Sequence, residues 1–425
     1  MSGNSTSRGP VPTGPAVKRG KGAALLWDES NLWGLVAIRA LRKAGLSFSL
    51  MNSADIRGGA LENAGYRLLY VPGGWAKNKL SALGADGAAM IRRFVESGGM
   101  YAGVCGGAGL ATNEGLGLLN LRRLPLKERV PSLSGKIKAG IVPHPVWAGI
   151  RRPEFHIWWP SQLDFKPEES CAPIRMLASF EAPMAGTFSS DLPVADFSPA
   201  DIDRLERLYS LNLDPARMAG APLVMEGAFG AGRVFITLIH FDTPGDRNGG
   251  LALRNLWEYA GCGKAPRAGD GKKEGPKGFF LRRPSTLKEL AAPMEELYRF
   301  GLRNFLWFPR GWVIQWRRGV RGLEYFTLRE MTREFLASMP GPSISRAETA
   351  GLARDLRLFA EKAKALLTLE RLALQEGRPL TFSSASSGEM AALRTELFGN
   401  AKSHGGAFKA LLDRVDALLY GRLKA

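Results

Sequence analysis

Apolar and polar positions follow two rhythms over residues 23–115. Short, mainly apolar runs at Ala23–Trp27, Phe48–Met51, Tyr66–Val71 and Met100–Val104 predict strands buried on both faces. Between them the spacing is helical. Leu32–Ala44 carries Leu35, Ile38 and Leu41 on one side, and Ala85–Ser97 stops at Gly98-Gly99, where a glycine C-cap belongs. Such alternation predicts a parallel sheet with helices on both faces. Pro72-Gly73-Gly74 punctuates the third run, and Cys105 ends the fourth.

After about residue 115 the strand-like runs come closer together: GKIKAGIV, FHIWW, IRMLASF, APLVMEG and GRVFITLIH. One helix is predicted within them, opened by Ser198-Pro199-Ala200-Asp201 with serine as cap and proline in the first turn, and another at Gly249–Ala260. Residues 262–278, CGKAPRAGDGKKEGPKG, have the composition of a linker. Beyond it the pattern is helical. Thr327-x-x-Glu330, Ser345-x-x-Glu348 and Ser386-x-x-Glu389 have capping-box spacing. The helix predicted over Arg346–Glu376 places Leu352, Leu356, Phe359, Ala363 and Leu366 on one stripe, which calls for a partner helix; the stretch after Ser386 is the expected one. The expected organisation is a disordered tail over 1–22, an α/β domain over 23–262, a linker over 263–278 and a basic helical domain over 279–425.

Composition narrows the setting. The N-terminus has no apolar h-region, and no run of apolar residues is long enough to span a bilayer. Three cysteines, Cys105, Cys171 and Cys262, make neither a disulfide framework nor a paired CxxC metal knuckle, so a reducing, cytoplasmic setting is expected, with no metal and no cofactor. The net charge of +18 is uneven: residues 263–425 hold 29 Lys and Arg against 17 Asp and Glu, and the rest 29 against 23. This leaves contact with nucleic acid or an anionic membrane open beside a simply solvated basic surface.

The candidate chemistry lies in MYAGVCGGAGLAT, residues 100–112. A strand turning straight into a helix lifts a side chain above the carboxyl edge of a sheet, and the helix N-terminus favours a thiolate there. Gly103-Val104-Cys105-Gly106-Gly107 has the form of a G-x-S-x-G nucleophile elbow with cysteine in place of serine. Of four histidines, His240 alone ends a predicted strand with an acid, Asp242, two residues on. His144 is placed in a loop, His156 in a strand as a structural residue, and His404 facing solvent. The N–H groups of Gly73, Gly74 and Gly106 are candidates for an oxyanion hole. Asp28 and Glu29, at the end of the first strand, are candidates to line the pocket or to be solvated loop acids. A dinucleotide fingerprint is absent, because WDESN follows the first strand.

LLYVPGG, YAGVCGGAGLAT and GRVFITLIHFD together resemble the class I glutamine amidotransferase-like superfamily, and within it the N-terminal domain of fungal-type biotin–protein ligases and its stand-alone bacterial versions. The resemblance covers residues 23–262. It implies a flavodoxin-like parallel sheet, with Cys105 as nucleophile, His240 as base and Asp242 orienting the imidazole. Two departures stand out. The family's His-Pro-Glu is His240-Phe241-Asp242 here, and no GRGRxxR-type loop of a biotin ligase is present, so biotin ligation by this chain alone is not expected.

Residues 303–322, RNFLWFPRGWVIQWRRGVRG, interleave tryptophan and arginine. Docking of a protein partner, contact with lipid headgroups or single-stranded nucleic acid, and packing of the aromatics into the protein's own core remain open. The expected function is a cysteine-dependent hydrolase or amidotransferase-like activity on an amide or related acyl group, with a small-molecule amide or carboxylate as ligand. The alternative is a non-catalytic ligand-binding or scaffold module of the same fold, its helical domain recruiting a partner.

Overall fold

Four apolar runs of the first hundred residues form strands, and a fifth strand joins them from far along the chain. The computed structural model describes residues 22–165, 174–263, 285–338, 345–378, 380–381, 388–400 and 404–424. The expected N-terminal tail before Gly22, the linker after Gly263, Cys171 and the Ser386 cap lie outside these residues.

The elements begin β1 (Ala23–Leu26), α1 (Asn31–Ala44), β2 (Ser49–Met51), α2 (Ser53–Arg57), α3 (Ala60–Asn63), β3 (Leu68–Val71), α4 (Ala76–Glu96), β4 (Met100–Val104) and α5 (Gly106–Leu110). A strand-rich stretch follows: β5 (Arg122–Arg123), β6 (Leu133–Ile141), β7 (Glu154–Trp158), β8 (Leu163–Asp164), β9 (Arg175–Pro183), β10 (Phe188–Ser189) and β11 (Leu192–Pro193). After α6 (Pro199–Tyr209) come β12 (Pro222–Phe229), β13 (Gly232–Thr237) and α7 (Arg247–Tyr259). The rest are α8 (Ser285–Arg303), β14 (Trp307–Arg310), β15 (Val313–Trp316), α9 (Gly322–Ala337), α10 (Arg346–Gln375), α11 (Gly388–Phe398) and α12 (Gly406–Lys424).

Strands β2-β1-β3-β4-β13 are parallel and lie side by side, the 2-1-3-4-5 order of a doubly wound sheet. Every residue of β1, β3 and β4 is buried, as strands covered on both faces require. Helices α1 and α7 pack together, as do α2, α4 and α5. The sheet is nevertheless not wholly parallel. From β13 it continues through β12, β9, β6, β10 and β11 in antiparallel pairs, with β7 also on β6. The physical reason lies in the connections: after residue 115 tight turns and short loops replace most of the helical crossovers that a parallel pair needs. The expected helix at Ala85–Ser97 also starts earlier, at Ala76, with a break at Gly84 (φ +64°).

Beyond α7 the chain is mainly helical, with one departure from the expected pattern. Residues 307–316 form a hairpin in which Arg310 pairs with Val313 across a two-residue turn, and Gly311 (φ +62°) supplies its positive φ. The stripe on α10 is buried as expected. It packs against α8 more extensively than against α11 and α12. Helix α9 lies on α1 and α12 on β2, so one continuous core joins the described residues before and after α7.

Candidate active site

Cys105 sits between β4 and α5 with φ +49° and ψ −100°, a backbone conformation that L-residues rarely adopt. The surroundings hold it there. Its N–H donates to Thr237 O at 2.7 Å, its carbonyl accepts from Gly109 N–H at 2.9 Å, and Tyr101 Oη donates to Gly107 O at 2.6 Å. Gly106 and Gly107 are required by close approach: a methyl on Gly106 would meet Gly74 O at 1.8 Å, and one on Gly107 would meet Val71 O at 2.1 Å. The Pro72-Gly73-Gly74 loop therefore presses directly on the turn that carries the thiol. Cys105 is half-buried, and its Sγ lies 3.7 Å from Trp158 O and 4.0 Å from Trp159 O.

His240 follows β13, the strand paired with β4, so the sheet itself brings it to Cys105. Its backbone N–H donates to His156 O at 2.9 Å, and its ring is fully buried. Nδ1–H donates to Asp242 Oδ1 at 3.0 Å. Nε2 and Asp242 Oδ2 have no partner at hydrogen-bonding geometry among the described residues. Burial opposes charge on this imidazole, but the Asp242 carboxylate and, after it, the Cys105 thiol outweigh burial and push it up to about 9. Aspartate's shorter side chain thus reaches its histidine.

A group of tryptophans forms a cover that the sequence pattern did not reveal. The Trp33 ring lies 4.6 Å from the His240 ring, 6.1 Å from Trp159 and 5.9 Å from Trp312 at the hairpin tip. Trp312 also packs 5.3 Å from Trp158, and Trp316 5.1 Å from Trp159. The only early signal was the tryptophan–arginine composition of residues 303–322, which are distant in sequence from Cys105. Two of those arginines are hydrogen-bonded into the residues around the site. Arg310 donates to Ser134 Oγ at 2.9 Å, to Ser134 O at 2.7 Å and to Gly186 O at 2.9 Å; Arg318 donates to Tyr209 O, and its backbone N–H to Asp191 Oδ2 at 3.2 Å.

The other candidates are placed as follows. Gly73 lies under Trp33, where a Cβ would meet the indole at 2.9 Å; Gly74 has φ +113° against Glu29 O. Asp28 is committed elsewhere, its Oδ2 accepting from Ser53 Oγ at 2.7 Å and from Ser53 N–H. Glu29 accepts from Lys409 Nζ at 3.0 Å and from Asn78 Nδ2 at 3.3 Å. His156 pairs with Asp246 at 2.7 Å, and His144 accepts from Val146 N–H at 3.2 Å. His404 does not face solvent: it lies against the rings of Trp75 and Phe408, and burial pulls it down to about 4. Burial pushes the Cys262 thiol up to about 12. Among the described residues no cluster of His, Cys, Asp and Glu is arranged to hold a metal, and no helix is long and apolar enough to cross a membrane. A separate groove, lined by Arg42, Phe48, Asp55, Tyr66 and Lys424, lies at the β2 edge, away from this site.

No protein-family model matches the chain, and no curated protein matches it either. Among solved structures it is similar over 56% of its length to PurLQS from Thermotoga maritima, with 14% identity, 98% of that chain covered and a TM-score of 0.37. A protein of the GMP synthase type from Thermoplasma acidophilum gives 14% identity over 56% of this chain and 93% of that one, with a TM-score of 0.35. A β-galactosidase from Bacillus circulans sp. alkalophilus gives 13% identity over 56% of this chain and 31% of that one, at 0.33. At such TM-scores these likenesses carry no argument about activity.

Proposed function

We propose that the chain is a cysteine-dependent hydrolase or amidotransferase-like protein acting on an amide or related acyl group through Cys105, His240 and Asp242. One observation carries this reading: a half-buried cysteine held at φ +49° on a strand-to-helix turn, beside a fully buried imidazole whose far nitrogen is bound to a carboxylate. Strain of this kind costs roughly 1–3 kcal/mol and persists where the surroundings over-determine it.

His240, raised against burial to about 9 chiefly by Asp242, takes the Cys105 thiol proton on Nε2 and holds it as the imidazolium while the sulfur acts as nucleophile. The sulfur attacks the substrate carbonyl carbon, and the carbonyl π pair moves to oxygen. The Gly106 N–H, in the first turn of α5 and without an intrahelical acceptor, is one donor for that oxyanion; Gly73 and Gly74 N–H groups are the others. As the tetrahedral species collapses, the C–N bond breaks and His240 Nε2 gives its proton to the departing amine. A thioester remains on Cys105. Neutral His240 then takes a proton from water, whose oxygen attacks the thioester, and the thiolate leaves. Asp242, bound to Nδ1, keeps Nε2 turned to the reacting atoms.

The test is covalent capture. A glutamine-like diazoketone is expected to add to Cys105 in wild type, seen as one mass increment on the peptide carrying residue 105, and to fail with His240→Ala. Ammonia release from a panel of primary amides follows the same pattern. If capture is absent while the protein is folded, the site is a pocket without turnover. The tryptophan cover over His240 favours that second reading.

A further inference from the structure

Among the described residues neither Arg123 nor Arg129 has a carboxylate hydrogen-bonded to its guanidinium group, and Arg123 lies within electrostatic reach of both Cys105 and Arg129. Residues 122–130 run back along residues 159–164: β5 pairs with β8 in the register Arg123 opposite Leu163, Leu124 N–H donates to Gln162 O at 3.1 Å, and Val130 N–H donates to Gln162 Oε1 at 2.7 Å. The start of that second segment is the wall of the site, since Trp158 O and Trp159 O lie against Cys105 Sγ. Positive φ at Trp159 (+50°) and Gln162 (+29°) bends it there. Arg123 Nε donates to Ser161 O at 3.4 Å, and the charges of Arg123 and Cys105 are close enough to interact.

Arg129 is the unusual member. It is only 8% exposed, and its Nε and Nη1 are buried with no partner among the described residues. Burial first, and then the like charge of Arg123, pulls its guanidinium down to about 10. Among the described residues Glu114 is the acid whose charge acts on Arg123. Its oxygens accept from the Arg123 backbone N–H at 3.3 and 3.4 Å and from Thr112 Oγ1 at 2.9 Å, and its charge acts on Arg123 without a hydrogen bond to either guanidinium. A buried guanidinium with unused donors is costly unless an acceptor meets it, and planar bidentate recognition of carboxylate or phosphate is what this group does best.

We propose that Arg123 and Arg129 form an anion subsite beside Cys105, and that the substrates are amides or acyl compounds carrying a carboxylate or phosphate away from the reacting carbonyl. The second half rests on the proposed function; the subsite itself does not.

Two measurements separate them. The thermal midpoint is followed with acetate, with inorganic phosphate and with chloride at equal ionic strength, for wild type, Cys105→Ser, Arg123→Gln and Arg129→Lys. A saturable rise of about 2–4 °C over chloride is expected in wild type and Cys105→Ser, reduced in both arginine variants. A rise with acetate alone identifies a carboxylate, and with phosphate alone a phosphate. No saturable rise, or one unchanged in Arg123→Gln, overturns the subsite; Arg123 is exposed, so this variant decides even if Arg129→Lys does not fold. Next, the rate of Cys105 alkylation by iodoacetate is compared with that by iodoacetamide. Relative to glutathione the ratio is expected to rise about tenfold, the factor for ~1.4 kcal/mol, and to return to the glutathione value in Arg123→Gln. A ratio equal to that of glutathione in wild type overturns the link to Cys105. If neither reagent labels Cys105, the proposed function fails while the midpoint data still decide the subsite.

Discussion

His240 and Lys79 are both fully buried bases, and they are shifted in opposite directions because their neighbours differ. Lys79 Nζ donates to Asp28 O at 3.1 Å and to Ser30 Oγ at 2.5 Å, and burial outweighs the acids Glu29, Asp28 and Asp416, lowering it to about 7. For His240 the adjacent carboxylate wins over burial, and the group rises from 6.5 to about 9. A base raised on folding stabilises the fold fully below its unfolded value, and that stabilisation is lost as pH climbs through the folded value. The His240 contribution is therefore present below pH 6.5 and gone above pH 9, an upper limit of about 3 kcal/mol. Lys79 has the opposite slope, its penalty easing as pH rises from about 7 toward 10.5. Comparing variants isolates the first effect. In denaturant titrations, wild type is expected to exceed Asp242→Asn most near pH 6, with the gap narrowing by up to about 3 kcal/mol toward pH 9. A constant gap would mean that Asp242 does not hold charge on the imidazole. Cys105, His240 and Asp242 were legible in the sequence because each lies near a predicted strand end, so local pattern alone places them on one edge. Arg129 was not, since its missing partners exist only once residues 122–130 fold back along 159–164.

At the level of elements, helix starts separate readable from unreadable signals. Ser345 caps α10: its Oγ accepts from Glu348 N–H at 3.1 Å, while Glu348 accepts from Ser345 N–H at 2.9 Å. Ser345→Ala is expected to cost about 1 kcal/mol in unfolding free energy, with faster amide exchange confined to the first turns of α10. Thr327 has the same spacing to its glutamate but lies buried inside α9, which begins earlier, at Gly322. Spacing alone cannot tell a cap from an interior threonine when apolar residues flank both sides. The strand runs after residue 115 were visible, but their direction was not. Apolar patterning is the same for parallel and antiparallel pairs; only the length of the connection distinguishes them.

On the scale of the whole molecule, the hairpin joins the helical half to the site. Arg310 spans the two with its bonds to Ser134 and Gly186, and its guanidinium stacks 4.4 Å from the Phe188 ring. Truncation in Arg310→Ala leaves those acceptors without their charged donor. A loss of about 2–3 kcal/mol is expected, together with faster hydrogen exchange in residues 307–316, read by mass spectrometry. Exchange unchanged in that segment would mean the tryptophans alone hold the cover. Docking of this kind was beyond the sequence, because it joins residues more than a hundred positions apart. What composition did show was that tryptophan and arginine were concentrated there.

In the proposed mechanism His240 makes Cys105 a reactive nucleophile. The most direct test is the rate of iodoacetamide labelling at Cys105 and Cys262, by peptide mass spectrometry across acidic to mildly basic pH, in wild type and His240→Ala. Cys262, pushed up to about 12 by burial, is the slow internal reference. Fast labelling of Cys105 below neutral pH is expected in wild type, with loss of that advantage in the variant. Labelling of Cys105 that is as slow as that of Cys262, or that does not change when His240 is removed, would contradict the mechanism.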